Sequence, residues 1–276
     1  MKKKWWIIAV ASVVVLGWII AGSFSQKQTA EEKELTDMLS LPNNAHILQT
    51  TDADIDNNGK SEKVVLYGKK KNGDGVITEE INVATIEPDT GFIKKTNLTS
   101  LNGFEPVMYV CDFTGDKQSD VLVTVLTGAD KGLTKNVIVD FSGSIPKNIF
   151  PDENNEGLKL NLKLVDNFSI DANFPGGENF AINIAKDKEQ LIKDSIYSQE
   201  GKLLDTKQQL QFLPFSLVQP VDTDGNGVFE LVCHQKIVLG ADQRELCNVI
   251  STHAFVDQKW TVKKIEYAHT VKNLEQ

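Results

Sequence analysis

Asp54-Ile55-Asp56-Asn57-Asn58-Gly59-Lys60-Ser61-Glu62 runs straight into Lys63-Val64-Val65-Leu66-Tyr67-Gly68. The same order of residue types returns twice. Asp112-Phe113-Thr114-Gly115-Asp116-Lys117-Gln118-Ser119-Asp120 precedes a strand-like segment from Val121 to Gly128, and Asp222-Thr223-Asp224-Gly225-Asn226-Gly227-Val228-Phe229-Glu230 precedes one from Leu231 to Gly240. Each stretch sets oxygen-bearing side chains at relative positions 1, 3, 5 and 9. Alternate residues of a tight loop point the same way, so this spacing gathers oxygens around one point, as a hard cation requires. The β-branched run that follows predicts a strand. Three such joints predict an all-β chain made of repeats.

The loops start 58 and 110 residues apart. The second interval is about twice the first, which places a degenerate copy near residue 166, where Leu164-Val165-Asp166-Asn167-Phe168-Ser169-Ile170-Asp171 keeps the strand character and loses the ligand pattern. Residues 45–270 then divide into four units of roughly 56 residues, the size of blade-type repeats. A second mark supports this register: Asn82-Val83, Asn136-Val137 and Asn248-Val249, each expected to open a strand, recur at similar distances after the loops, with Asn183-Ile184 in a similar place in the third unit. Each unit reads strand, acidic loop, strand, hairpin, strand, turn, strand. Four antiparallel strands per unit is the content of one propeller blade, so the expected fold is a propeller-like array of about four four-stranded repeats.

A calcium ion takes six to eight oxygens, several of them carboxylates, and a glycine permits the sharp bend of the loop. The expected ligands are Asp54, Asp56, Asn58 and Glu62 in the first loop and Asp222, Asp224, Asn226 and Glu230 in the last. The middle loop offers Asp112, Thr114, Asp116 and Asp120, with Lys117 at the bend where the others have Gly59 and Gly227; it is expected to be the weakest. An EF-hand is excluded, because position 12 is Val65, Val123 or Cys233 and strands, not helices, follow. Asx-rich turns without an ion are the competing reading. Against it stands the mutual repulsion of three carboxylates in one loop.

With an acid at position 9 leading into a strand, the loops resemble the FG-GAP/VCBS repeats of integrin-alpha-type β-propellers. The resemblance covers the three loops with their following strands and, more loosely, residues 45–270. It implies structural Ca2+ in the loops and blades that present a ligand-binding face. No motif here matches the integrin adhesion face.

The formal net charge is −9, and Lys2, Lys3 and Lys4 lie outside the expected domain. An acidic surface repels nucleic acid and draws cations, so nucleic-acid binding is not expected. Trp5 to Gly22 carries no charge and as a helix spans roughly 27 Å, close to a hydrocarbon core. Residues 1–25 are expected to form a membrane anchor with its lysines cytoplasmic and the rest of the chain outside, or else a signal peptide cleaved near Ala21-Gly22-Ser23. Residues 26–44 read as a stalk and a short helix with Leu35, Met38 and Leu39 on one face, and residues 45–276 as the repeat domain.

Cys111, Cys233 and Cys247 are too few for a disulfide framework. Cys233 and Cys247 either meet across one hairpin or pack as small apolar side chains. His46, His234, His253 and His269 lack metal-ligand spacing, and no nucleophile motif or phosphate loop is present. The expected function is a calcium-binding, outward-facing recognition, adhesion or envelope-scaffold module for a protein or glycan ligand. A secreted or anchored hydrolase is the alternative. A calcium-sensing subunit of a membrane complex is a third reading, and fold alone does not decide between them.

Overall fold

The computed structural model describes residues 30–71, 75–128, 132–174 and 179–268; the expected anchor at 1–25 lies outside them. Helix α1 (Ala30–Leu39) leads into four groups of strands. The first holds β1 (Ala45–Ala53), β2 (Glu62–Lys70), β3 (Ile77–Ile86) and β4 (Ile93–Asn97). The second holds β5 (Gly103–Cys111), β6 (Asp120–Leu126), β7 (Thr134–Asp140) and β8 (Lys147–Asn148). The third has β9 (Asn161–Val165), β10 (Ser169–Asn173) and β11 (Asn179–Asn183), followed by helix α2 (Lys188–Lys193). The fourth holds β12 (Leu210–Val221), β13 (Glu230–Leu239), β14 (Arg244–Val256) and β15 (Lys259–Ala268). Units one, two and four are antiparallel meanders of four strands, with the acidic loop joining the first strand to the second.

The third unit departs from expectation. It has three strands, and α2 stands where a fourth was expected. Lys186-Asp-Lys-Glu-Gln-Leu-Ile-Lys193 lacks the apolar–polar alternation of a strand, and as a helix it buries Leu191 completely. The place of an acidic loop is taken by the three-residue turn Asp166-Asn167-Phe168, with Asn167 and Phe168 both at positive φ. The Asn-Val pairs lie inside β3, β7 and β14 rather than opening them, and Asn183 ends β11.

The units are joined in an order different from their order in the chain. Units one and two share one sheet through the short pairing of Ile77 with Phe104 and Thr78 with Gly103. Their common core holds Val64, Leu66, Val83, Val121 and Val123. Unit two then packs directly on unit four, where Phe113, Leu122 and Ile138 meet Phe215, Val218 and Leu231. Trp260 of β15 fastens this junction: its indole N–H donates to the Ile149 carbonyl at 2.8 Å, and its ring meets Phe113 and Phe150 edge-on. The third unit packs on the other half of unit four, with Ile170, Ile182 and Tyr197 against Ile237, Leu246 and Cys247. The contiguous series is therefore units one, two and four.

Helix α1 lies on the outer face of the first sheet, burying Leu35 and Leu39 against Val65, Tyr67, Ala84 and Ile86, while Met38 faces outward. All three cysteines are free. Cys233 stands opposite Ser251 and Cys247 opposite Ile237, so the two thiols lie in different core clusters and do not meet.

Candidate cation site

The three acidic loops share one backbone. Positions 4 and 6 are left-handed in each: Asn57 at 58° and Gly59 at 85°, Gly115 at 78° and Lys117 at 69°, Gly225 at 76° and Gly227 at 89°. They also share three hydrogen bonds. The carboxylate at position 1 accepts the N–H of position 6 at 2.9, 2.9 and 3.0 Å. The side-chain oxygen at position 5 accepts the N–H of position 7 (Asn58 from Lys60, Asp116 from Gln118, Asn226 from Val228). The acid at position 9 accepts the N–H of position 2 at 2.7, 2.9 and 3.1 Å. Glu62, Asp120 and Glu230 thus tie the end of each loop to its start. The acids build the loop before any ion is considered.

The loops lie side by side. The Ser119 N–H at position 8 of the middle loop donates to the Ile55 carbonyl of the first at 3.3 Å, and the Phe229 N–H of the last donates to the Asp112 carbonyl of the middle at 2.8 Å. Position 8 of each later loop is therefore hydrogen-bonded to the start of the earlier one, at position 2 in the first loop and position 1 in the middle loop. Ile55 and Phe113 are buried, whereas Thr223 of the last loop is exposed.

What the acids do beyond this frame differs. Among the described residues, only the first loop brings three carboxylates together: oxygens of Asp54, Asp56 and Glu62 lie within 4.8 Å of one another. Glu62 is 6% exposed. One of its oxygens takes the Ile55 N–H, and the other, Oε1, is buried with no hydrogen-bond partner. A buried carboxylate oxygen without a partner is costly, and a cation between the three acids would satisfy it. Asn58, the remaining expected ligand here, commits its Oδ1 to Lys60 N–H.

In the middle loop, Asp112 accepts the Gly115 N–H at 2.7 Å and the Thr114 hydroxyl at 3.4 Å, and Asp116 is turned to Gln118. Asp120 is buried, and its pKa is pushed up to about 7, chiefly by that burial; the Phe113 N–H opposes the shift, and Asp140, Asp116 and Asp112 add to it. In the last loop, Glu230 takes both the N–H and the hydroxyl of Thr223, and the Asn226 amide donates to Asp224 at 3.0 Å. The N–H groups of Gly227, Gly225 and Asn226 hold the Asp222 carboxyl below its usual range. Here Asn226 satisfies Asp224, Thr223 satisfies Glu230, and backbone N–H groups satisfy Asp222.

A separate cavity of about 200 Å3 lies at the junction of units two and four, walled by Phe150, Phe215, Trp260 and His253. Burial lowers the His253 pKa to about 4, and its Nε2 lies 2.8 Å from the Ser251 hydroxyl. Ser251 is fully buried and is not presented to a substrate.

The family model of the YybI C-terminal domain matches residues 158–268, which span the third and fourth units. Over 196 residues, 69% of this chain, the sequence is 26% identical to the uncharacterized protein YybI of Bacillus subtilis (strain 168), covering 72% of that protein. No solved structure matches.

Proposed function

We propose that this protein is a calcium-braced β-repeat domain held outside the cytoplasm by its apolar amino-terminal segment, serving as a recognition, adhesion or envelope-scaffold module. The observation that carries the calcium reading is the first loop: three converging carboxylates, one with a buried and unpartnered oxygen. Calcium suits such a loop because it accepts irregular oxygen geometry that magnesium does not. The ion would be structural. By occupying the folded state alone it would raise stability by RT ln(1 + [Ca2+]/Kd), about 2.7 kcal/mol at a hundredfold excess over Kd.

Units one, two and four, with their loops hydrogen-bonded in series, support a propeller-like arrangement of three blades, with the third unit packed on the far half of the last. Locking successive loops stiffens the array, which is what a display scaffold needs. A protein or glycan ligand would bind such a rigid surface without ordering it first.

The test is a thermal melt of the detergent-solubilised full chain in excess calcium and in chelator. A rise in melting temperature with calcium, absent in Asp54→Asn/Asp56→Asn, is expected. Coincident melts of parent and variant in calcium would remove the ion from the first loop.

A further inference from the structure

Beside the first loop lies a small cavity of about 40 Å3, lined by Asp56, Glu62, Thr85, Glu87 and Phe92 among others. Its composition follows from strand register. β2 and β3 pair Val64 with Thr85 and Lys63 with Ile86, so one step further the register sets Glu62 opposite Glu87, where the turn to β4 begins. Side chains directly opposite on an antiparallel pair share a face, and like charges there are unfavourable. A sheet that places two carboxylates face to face, one of them 6% exposed with an unpartnered oxygen, lacks a positive charge between them.

The nearby lysines do not supply it. Lys94 also lines the cavity, but its ammonium donates to the carbonyls of Phe141 and Gly143 at 3.0 Å each. Lys60 is paired with Asp89, and Glu87 is only the smallest of the charges acting on it. Glu87 itself receives the Thr90 hydroxyl on one oxygen at 2.6 Å.

We propose that Glu87 is a fourth carboxylate ligand of the first-loop cation, reaching it from outside the loop across the sheet. The ion then sits between Asp54, Asp56 and Glu62 on the loop side and Glu87 on the β3 side, and it ties the loop to the turn between β3 and β4. This rests on the calcium reading of that loop. The second unit carries the same opposition: Val121 pairs with Val139, which sets Asp120 against Asp140, and Asp140 is one of the charges acting on Asp120. In the fourth unit, Leu231 pairs with His253, so Ala254 stands opposite Glu230 and the second acid is absent. A cross-sheet carboxylate is therefore confined to the two units that share a sheet.

The test is calorimetric titration of the full chain with calcium chloride, for the parent, Glu87→Gln and Asp56→Asn, with melts of each in calcium and in chelator. Glu87→Gln is expected to weaken the affinity lost in Asp56→Asn by about tenfold. It is also expected to melt higher than the parent in chelator, where it removes a like-charge pair, and lower in calcium. A purely structural role would move both melts in the same direction, and that result would overturn the proposal. Parent-like affinity in Glu87→Gln, with binding lost in Asp56→Asn, would overturn it while leaving the loop site intact. Absence of calcium binding in the parent would remove both.

Discussion

The first and last acidic loops have the same backbone and the same three internal hydrogen bonds, yet their closing acids stand in different surroundings. Glu62 is buried in a loop whose Ile55 carbonyl is taken by the middle loop, whereas Glu230 is half-buried and spends its oxygen on Thr223. The motif specifies a turn; what packs over the turn sets how much an ion is needed. A carboxylate facing water keeps its solvation, and one sealed inside the sheet does not.

Position 2 of each loop offers the sharpest way to break this comparison. Phe113 is fully buried between units two and four, so Phe113→Ala should cost about 3–5 kcal/mol in denaturant unfolding. Thr223→Ala, at the equivalent and exposed position, should cost about 1 kcal/mol, the loss of its hydroxyl bond to Glu230. Similar costs for the two would mean that the loops do not seal one another in series.

Acid probes the last unit. His253 is neutral in the fold down to about pH 4, while in the unfolded chain it takes up a proton near its ordinary value of 6.5. The unfolded state therefore binds more protons in that window, and the His253 contribution, on the order of 3 kcal/mol, is present above pH 6.5, is lost as pH falls toward 4, and levels off below. Asp120, raised to about 7, acts with the opposite sign over an overlapping range. The difference between parent and His253→Gln cancels it, because both chains carry Asp120. That difference should shift progressively between pH 6.5 and 4; a constant offset would mean that the histidine is not sealed at the junction of units two and four.

Calcium separates the loops directly. In excess calcium, Asp54→Asn/Asp56→Asn should lose about 2–3 kcal/mol relative to the parent, while Asp222→Asn/Asp224→Asn should lose less than half of that. In chelator the first pair should melt close to the parent. Equal calcium-dependent losses in both pairs would show that exposure does not decide where an ion is held.

How far these features could be read from residue order varies with the distance between the residues involved. The acidic loops and the strands after them were legible because ligand spacing and β-branched runs are local, and Lys63–Gly68 falls inside β2 as expected. The third unit was misread because Asp166-Asn167-Phe168 keeps an apolar flank on each side, while α2 leaves only the weak signature of Leu191 and Ile192. The direct packing of unit two on unit four could not be seen, since it joins Phe113 to Trp260 across the whole third unit. Glu87 was invisible for the same reason. Its relation to Glu62 exists only through the pairing of β2 with β3. Of the two readings of Cys233 and Cys247, packing as small apolar side chains is the one found, since the pairing of β13 with β14 sets them against Ser251 and Ile237.

The smallest effect tests whether the shared backbone carries strain of its own. Lys117 was expected to weaken the middle loop as a non-glycine at the bend, and it holds a φ of 69° where Gly59 and Gly227 hold 85° and 89°. A side chain with a Cβ disfavours this region by roughly 1 kcal/mol, whereas glycine enters it freely but gains freedom in the unfolded chain. The two contributions oppose each other, and relief of strain is expected to win because the conformation is fixed by the Asp112 bond to the Lys117 N–H at 2.9 Å, which glycine retains. Lys117→Gly should therefore stabilise the protein by about 0.5 kcal/mol in chelator, and Gly59→Lys should destabilise it by about 1 kcal/mol. Because Gly59 has open space around its Cβ position, a loss there measures backbone strain rather than a clash. If both substitutions left the denaturation midpoint unchanged, the common left-handed bend would cost nothing, and the difference among the three loops would lie wholly in what packs over them.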